Sequence, residues 1–327
     1  MEKINLREER DFGQKISDTF LFLQQNFGPF FKCLLYYAGP ISLVAGVFMG
    51  LYQSNLLGLN AESLGQNNDP LLFLAKNVFN LNYILTLIVT GIGRIVVIGV
   101  TFAYMTAYLE RPGELIGTAE VWQRFSRRFI SLFLTTLLYL IGIFLIILIL
   151  TLAAGLLFFG SISDTAIIME RAYLIPFGLL MVFAPMIFLA IRTGLFAPVI
   201  FAEGKGGPLA YGRSWKLVKG KWWSTFGLIV VMTIIVSIIG IAFQIPLLLI
   251  SFFKEILHWE NGSSIQLIII VASIIGMVGE TLLYSILHIA IGFQYFNLVE
   301  RQESIGLMRE IDSLGRETDF SSNEGEY

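Results

Sequence analysis

Residues 206–226 read GGPLAYGRSWKLVKGKWWSTF. Two glycines and Pro208 open the stretch. Leu209, Trp215, Val218 and Trp222 then recur close to the helical period, with Arg213, Lys216, Lys219 and Lys221 between them. Such a pattern describes a basic amphipathic helix lying in a membrane interface. It leads directly into roughly thirty almost uncharged residues, more than the ~20 that cross a bilayer.

Composition agrees with that reading. Of 327 residues, 56% are hydrophobic and only 14% charged, against about a quarter charged in a soluble domain. The mean hydropathy is +0.75. An integral membrane protein is the class this implies. The single cysteine, Cys33, excludes an intramolecular disulfide and a Cys-rich metal site, and neither a metal nor a cofactor is expected. The N-terminal run MEKINLREERDFGQK is too charged for a signal peptide, so the first span is expected to direct its own insertion.

Taken in order, the chain offers six apolar stretches. Phe12, Ile16, Phe20, Leu23 and Phe27 form an amphipathic stripe before a first span at about 33–52. A polar loop, 53–80, precedes span two at about 81–109. A second stripe of Ile116, Ala119, Trp122, Phe125 and Phe129 enters span three, about 129–159. Span four covers about 173–201, span five about 224–253 and span six about 265–299. The tail beyond Arg301 is polar and acidic, and its last ten residues read as disordered.

Lysine and arginine concentrate on one side of these spans. Lys3, Arg7, Arg10, Lys15 and Lys32 precede span one, and Arg111, Arg124, Arg127 and Arg128 follow span two. Lys205, Arg213, Lys216, Lys219 and Lys221 follow span four, while Arg301, Arg309 and Arg316 follow span six. The opposite side has only Lys76, Arg171 and Lys254. This asymmetry predicts that both termini are cytoplasmic. The expected location is a bacterial cytoplasmic (inner) membrane.

A threefold repeat is also expected. Phe20, Phe22, Leu23, Phe27 and Phe31 align without a gap on Trp215, Leu217, Val218, Trp222 and Phe226, with a weaker copy around Trp122–Phe133. Each unit closes on an acidic residue: Glu110, Glu203 and Glu300. The predicted architecture is all-α: six transmembrane helices as three hairpins, each preceded by a cytoplasmic interfacial amphipathic helix. Residues 1–301 form one membrane domain with pseudo-repeats 1–111, 112–204 and 205–301, followed by a partly disordered tail, 302–327.

At the interfacial helices the run Ser214–Trp223, SWKLVKGKWW, resembles the signature of an uncharacterised bacterial family of six-span membrane proteins. That family is related to the membrane domain fused to some glycerophosphoryl diester phosphodiesterases. The run Phe12–Phe20, FGQKISDTF, fits the same pattern. The resemblance implies a membrane location. No phosphodiesterase activity is expected from it, because the residues that carry the resemblance belong to the membrane domain and not to the soluble catalytic one.

Ionisable residues inside spans are costly and point to function. They fall in even spans: Arg94 in two, Arg192 in four, Glu280 and His288 in six. Arg94 and Glu280 lie near their spans' midpoints, which predicts a buried ion pair, with even spans inside the bundle and odd spans outside. Arg94, Arg192, Glu280 and His288 are therefore the candidate intramembrane polar site. Its bland reading is helix packing, and its sharp reading is a site for an anionic headgroup or solute. The candidate interfacial, lipid-binding residues are Trp122, Arg127, Arg128, Arg213, Trp215, Lys216, Lys219, Lys221 and Trp222.

Other patterns carry less. Gly46-x-x-x-Gly50 matches a small-residue packing face, but so short a pattern recurs by chance. No H-E-x-x-H, no Gly-x-Ser-x-Gly elbow and no carboxylate pair at one depth is present, so no catalytic residue is nominated. Two functions remain open. One is a non-enzymatic scaffold or partner protein engaging anionic lipid of the cytoplasmic leaflet, with a membrane-protein partner or a second copy and no nucleic acid. The other is a transporter or lipid-handling protein using the intramembrane site.

Overall fold

The computed structural model describes residues 3–57, 79–159, 172–257, 263–304 and 308. Part of the 53–80 loop, Lys76, Arg171, His258, Trp259, Asn261, Gly262 and the tail beyond 304 other than Met308 lie outside the described residues. Among the described residues the regular structure is helical, with no strand. Nine α-helices are described: α1 Phe12–Tyr37, α2 Gly39–Leu57, α3 Leu81–Glu110, α4 Thr118–Phe159, α5 Ile175–Thr193, α6 Phe196–Glu203, α7 Pro208–Val218, α8 Trp222–Leu257 and α9 Ser263–Glu303. A single 3₁₀ turn, Ala172–Leu174, leads into α5. Six stretches are long and apolar enough to cross a bilayer: Gly39–Leu57, Leu81–Glu110, Thr118–Leu157, Ile175–Glu203, Trp222–Lys254 and Ser264–Glu303. The protein is an all-α polytopic membrane protein.

The described helices fall into two compact units. The first comprises Met1–Asn5, Asp11–Phe125 and Leu228–Phe293. Here α1 starts from a capping box. The Asp11 carboxylate accepts from the Gln14 backbone N–H, and the Gln14 side chain accepts from the Asp11 N–H. The helix ends at Ala38, and Pro40 sits in the first turn of α2, where a missing N–H does no harm. Span one therefore starts at Gly39, some six residues later than the apolar run suggests.

The face that α1 buries also differs from the expected stripe. Thr19, Phe22, Leu23, Asn26, Phe30, Cys33 and Leu34 point inward, whereas Phe12 and Phe27 are exposed. Phenylalanines occupy both faces of α1, so their period alone could not choose between them. The choice goes to the face whose polar members find partners. Thr19 donates to the Lys15 carbonyl, Asn26 donates to the Phe22 carbonyl, and the Tyr104 hydroxyl donates to Asn26. Phe22 then packs edge-on against Tyr104, Tyr108 and Phe293, with centroids 5.1–6.2 Å apart. The core of this unit thus gathers around the second half of α3, where Val96–Met105 is buried throughout.

In the same unit, span one is clamped between spans two and six. A Cβ on Gly46 would lie 2.6 Å from the Ile274 Cα, and one on Gly50 would lie 2.5 Å from the Ile270 Cα. The two backbones meet there at glycine distance, so the small-residue pattern is a packing face after all. A Ser42–Thr281 hydrogen bond (2.6 Å) and a Ser273-to-Gln53 bond (2.6 Å) bracket the contact. On the other flank of α9, Gly276 and Gly279 admit Gln244 and Phe243 of α8.

The expected division into inner even and outer odd spans does not hold. Spans two and six are indeed the most buried, at 39% and 33% of their apolar windows, but span one reaches 22% and span four only 11%. Glycine-mediated contact, which carries no charge, draws span one inward. Spans three and five, at 6% and 11%, expose most of their apolar side chains, as lipid-facing helices do.

The second unit comprises Leu6–Arg10, Ser126–Gly227 and Gln294–Tyr327. Its α4 segment belongs to a helix of 42 residues, about 63 Å at ~1.5 Å per residue. That length exceeds a ~30 Å hydrocarbon core, and the stripe from Ala119 to Phe129 runs into span three without a break, while Ile116 precedes the helix. Span four, in contrast, is interrupted at Gly194. Pro198 lacks the N–H that the Gly194 carbonyl would accept, so the helix stops at Thr193 and restarts at Phe196. Ser214 of α7 satisfies both sides of the gap, accepting from the Leu195 N–H (3.1 Å) and donating to the Arg192 carbonyl (2.8 Å). The opening stretch, 206–226, resolves into α7, a turn at Gly220 with φ +77°, and the start of α8.

Candidate functional site

The structure pairs Arg94 with Glu280. Both stand near the middle of their helices, in the first unit, and Nη2 of Arg94 donates to Oε1 of Glu280 at 2.7 Å. The Arg94 guanidinium also lies 5.1 Å from the centre of the Tyr284 ring. Tyr284 is one helical turn beyond Glu280, so α9 offers the cation a carboxylate and an aromatic face on one side. His288 stands a further turn along. Its Nδ1 donates to the Tyr284 carbonyl at 2.8 Å, and its ring packs on Tyr284 and Phe102 at 4.4 and 6.1 Å. Arg94, Glu280 and His288 are thus gathered around Tyr284.

The pair is not buried, contrary to expectation. Its side chains are 51% and 46% exposed. They open into a cavity of about 470 Å³ between α3, α8 and α9. Apart from the pair, the described lining residues are neutral. Thr233, Ser237, Gln244 and Tyr284 supply the polar ones, while Val236, Leu283 and Leu287 are apolar. Ile241 and Leu248 belong both to this wall and to the exposed apolar surface of α8, which carries the cavity outward into a lipid-facing side. Gln244 and Tyr284 do not stand out in the sequence as Arg94 and Glu280 do, because neither carries charge in an apolar span. Yet Gln244 is the lone amide in the apolar run of span five, and Tyr284 stands four residues from Glu280.

Arg192 belongs to the second unit and is engaged there. Its guanidinium lies 4.9 Å from the Trp215 ring centre and 5.4 Å from that of Phe188, and Nη1 donates to the Trp215 carbonyl at 3.2 Å. Trp222 stacks beside Phe188 and directs its indole N–H toward the Phe188 carbonyl. This aromatic enclosure holds Arg192 next to the Gly194 break.

The same unit contains a charged cluster that sequence reading missed. Glu203, the last residue of α6, accepts from Lys205 (2.7 Å), Arg213 (2.8 Å) and the Tyr295 hydroxyl (3.0 Å). Arg213 also donates to Glu303 at 2.5 Å. Burial acts to lower the Arg213 pKa, but its two carboxylate partners outweigh it and hold the value above the ordinary one. Arg213 is therefore a cross-link and not a free interfacial cation. In the first unit Glu110 is gripped in the same way, both its oxygens accepting from Arg124 at 2.8 and 2.6 Å. In each case the signal was an acidic residue closing a span, with an arginine ten to fourteen residues later.

The remaining interfacial candidates divide by exposure. Arg127, Lys216, Lys219 and Lys221 are exposed, and Trp122 and Trp215 are partly so; Trp223, outside the candidate set but next to Trp222, is 76% exposed. Trp122 stacks on Tyr37 at 4.9 Å, Trp222 is half-buried, and Arg128 lies over Gly204. Among the described residues no cluster of His, Cys, Asp or Glu could hold a metal ion.

A family model described as a domain of unknown function, DUF7847, matches residues 84–297. The chain belongs to that family. The match carries no link to the glycerophosphoryl diester phosphodiesterase membrane domain. No curated protein and no solved structure matches the chain. The family segment contains Arg94, Glu280 and every described residue of the cavity wall, while α1 and span one fall outside it.

Proposed function

We propose that this protein binds a lipid-like amphiphile in the cavity between α3, α8 and α9, as part of moving or presenting it within the membrane. The observation that carries this reading is the half-exposed Arg94–Glu280 pair in a mid-helix cavity walled otherwise by neutral and largely apolar groups. Two charges facing bare hydrocarbon would be strongly destabilising. A polar headgroup between them removes that cost, and the apolar rim at Ile241 and Leu248 suits its acyl chains. The volume of about 470 Å³ falls in the range of small-ligand sites. The broken span four adds support, since interrupted helices are frequent in transporters.

The test is gentle extraction followed by native mass spectrometry. A stoichiometric lipid should be present in the wild-type protein and absent when Ser237→Phe fills the cavity from α8. Equal lipid retention by the two proteins would count against this site.

A second reading concerns the membrane surface. Exposed Lys216, Lys219 and Lys221, beside Trp215 and Trp223, suit the anionic headgroups of the cytoplasmic leaflet, an attraction worth ~1 kcal/mol per basic residue. It supports both the cytoplasmic placement of this face and a role as a membrane scaffold. Replacing the three lysines by alanine should deplete phosphatidylglycerol from the co-purified lipid without emptying the cavity. Unchanged phosphatidylglycerol content would refute the surface role.

A further inference from the structure

The charges of the cavity also define its occupant. Among the described lining residues only Arg94 and Glu280 carry charge, and they neutralise one another at 2.7 Å. A ligand entering this setting must leave neither of them uncompensated, because a broken pair in a low-dielectric site is heavily penalised. A purely anionic headgroup could take Arg94, but it would strand the Glu280 carboxylate and repel it. A purely cationic headgroup would strand Arg94, leaving it against the neutral ring of Tyr284. A zwitterion alone replaces one ion pair by two, its anion on Arg94 and its cation on Glu280.

We infer that the occupant is a zwitterionic lipid, of the phosphoethanolamine or phosphocholine headgroup class, inserted between Arg94 and Glu280. The inference rests on the cavity being a lipid site, as proposed above. The lipid source, and not a free zwitterion, is indicated by the continuity of the wall with exposed Ile241 and Leu248. Thr233, Ser237 and Gln244 on the α8 wall remain to meet the uncharged oxygens of the glycerol and ester region.

The experiment uses the full-length protein, delipidated in neutral detergent. It is titrated by native mass spectrometry with short-chain phosphatidylethanolamine, phosphatidylglycerol, a cationic dialkyl ammonium lipid, and free O-phosphoethanolamine. The wild-type protein should bind phosphatidylethanolamine at least tenfold tighter than either singly charged lipid and leave free phosphoethanolamine unbound. Arg94→Gln should shift preference toward the cationic lipid and Glu280→Gln toward phosphatidylglycerol. That opposed inversion is not something a general loss of fold would produce. Ser237→Phe should abolish all lipid binding while preserving the melting temperature.

A wild-type preference for phosphatidylglycerol overturns the zwitterion while leaving the lipid cavity standing. Equal binding of free phosphoethanolamine overturns the lipid source. Failure of every lipid to bind the wild-type protein, or binding untouched by Ser237→Phe, overturns the cavity reading itself. Should either charge variant fail to fold, the wild-type preference and the Ser237→Phe result decide the matter together.

Discussion

Replacing Gly50 by alanine isolates what holds span one in place. The added Cβ would lie 2.5 Å from the Ile270 Cα and 2.9 Å from its Cγ1. Carbon atoms settle at roughly 3.5 Å or more, so α2 and α9 must separate locally by about 1 Å. The obstruction is backbone, and no rotamer change relieves it. The flanking Ser42–Thr281 and Ser273–Gln53 hydrogen bonds stand at 2.6 Å. A displacement of that size carries them to the edge of hydrogen-bond range. Overpacking contributes about 1–3 kcal/mol and each lost interhelical bond about 0.6 kcal/mol. A destabilisation of about 2–4 kcal/mol follows. Gly46→Ala should behave alike, and the double variant should fall short of the sum, because one separation relieves both clashes. Thermal unfolding in mild detergent, followed by tryptophan fluorescence, measures the effect. Gly91→Ala is the control, since nothing lies within 4 Å of a Cβ there. If Gly50→Ala melts with Gly91→Ala, the two backbones do not touch as described.

Three further outcomes are expected. Arg94→Glu and Glu280→Arg should each lower the melting temperature, and the double exchange should recover most of the loss. Equal damage in all three would dissolve the pair. Cys33 is fully buried, and burial pushes its thiol up to about 11 against a weaker opposing pull from Lys32. Maleimide at pH 8 should therefore label it only on unfolding. By linkage, the neutral thiol's contribution to stability is whole below the ordinary thiol range and lost as pH rises from about 9 toward 11. Prompt labelling of the folded protein is the refuting result. Arg213→Ala removes the donor shared by Glu203 and Glu303, and hydrogen bonds to charged groups are worth ~1.5–3 kcal/mol. A loss of about 2 kcal/mol is expected from the melting curve. An unchanged curve would show the cluster to be dispensable.

What the sequence disclosed depended on whether a property is local or shared. Six spans were legible because hydropathy accumulates residue by residue along the chain. The Arg94–Glu280 contact was legible because charges in apolar runs have few alternatives. The face of α1 was not, since Phe12 and Phe27 obey the helical period as well as Phe22 and Phe30 do. Nor could Gly46 and Gly50 be given weight without Ile270 and Ile274, more than two hundred residues away. The exposure of the ion pair depended on three helices leaving a space, which no single span records. Pro198 did announce the break in span four, four residues after Gly194, but the apolar run concealed it.

That break makes one side chain of α7 part of span four. One hydroxyl, that of Ser214, terminates the Arg192 carbonyl on one side of Gly194 and the Leu195 N–H on the other. Turning or lifting α7 withdraws both bonds at once, and bending span four strains the same atom. The short basic helix and the interrupted span are therefore fastened at the break itself, by this oxygen and by the grip of Arg192 on Trp215.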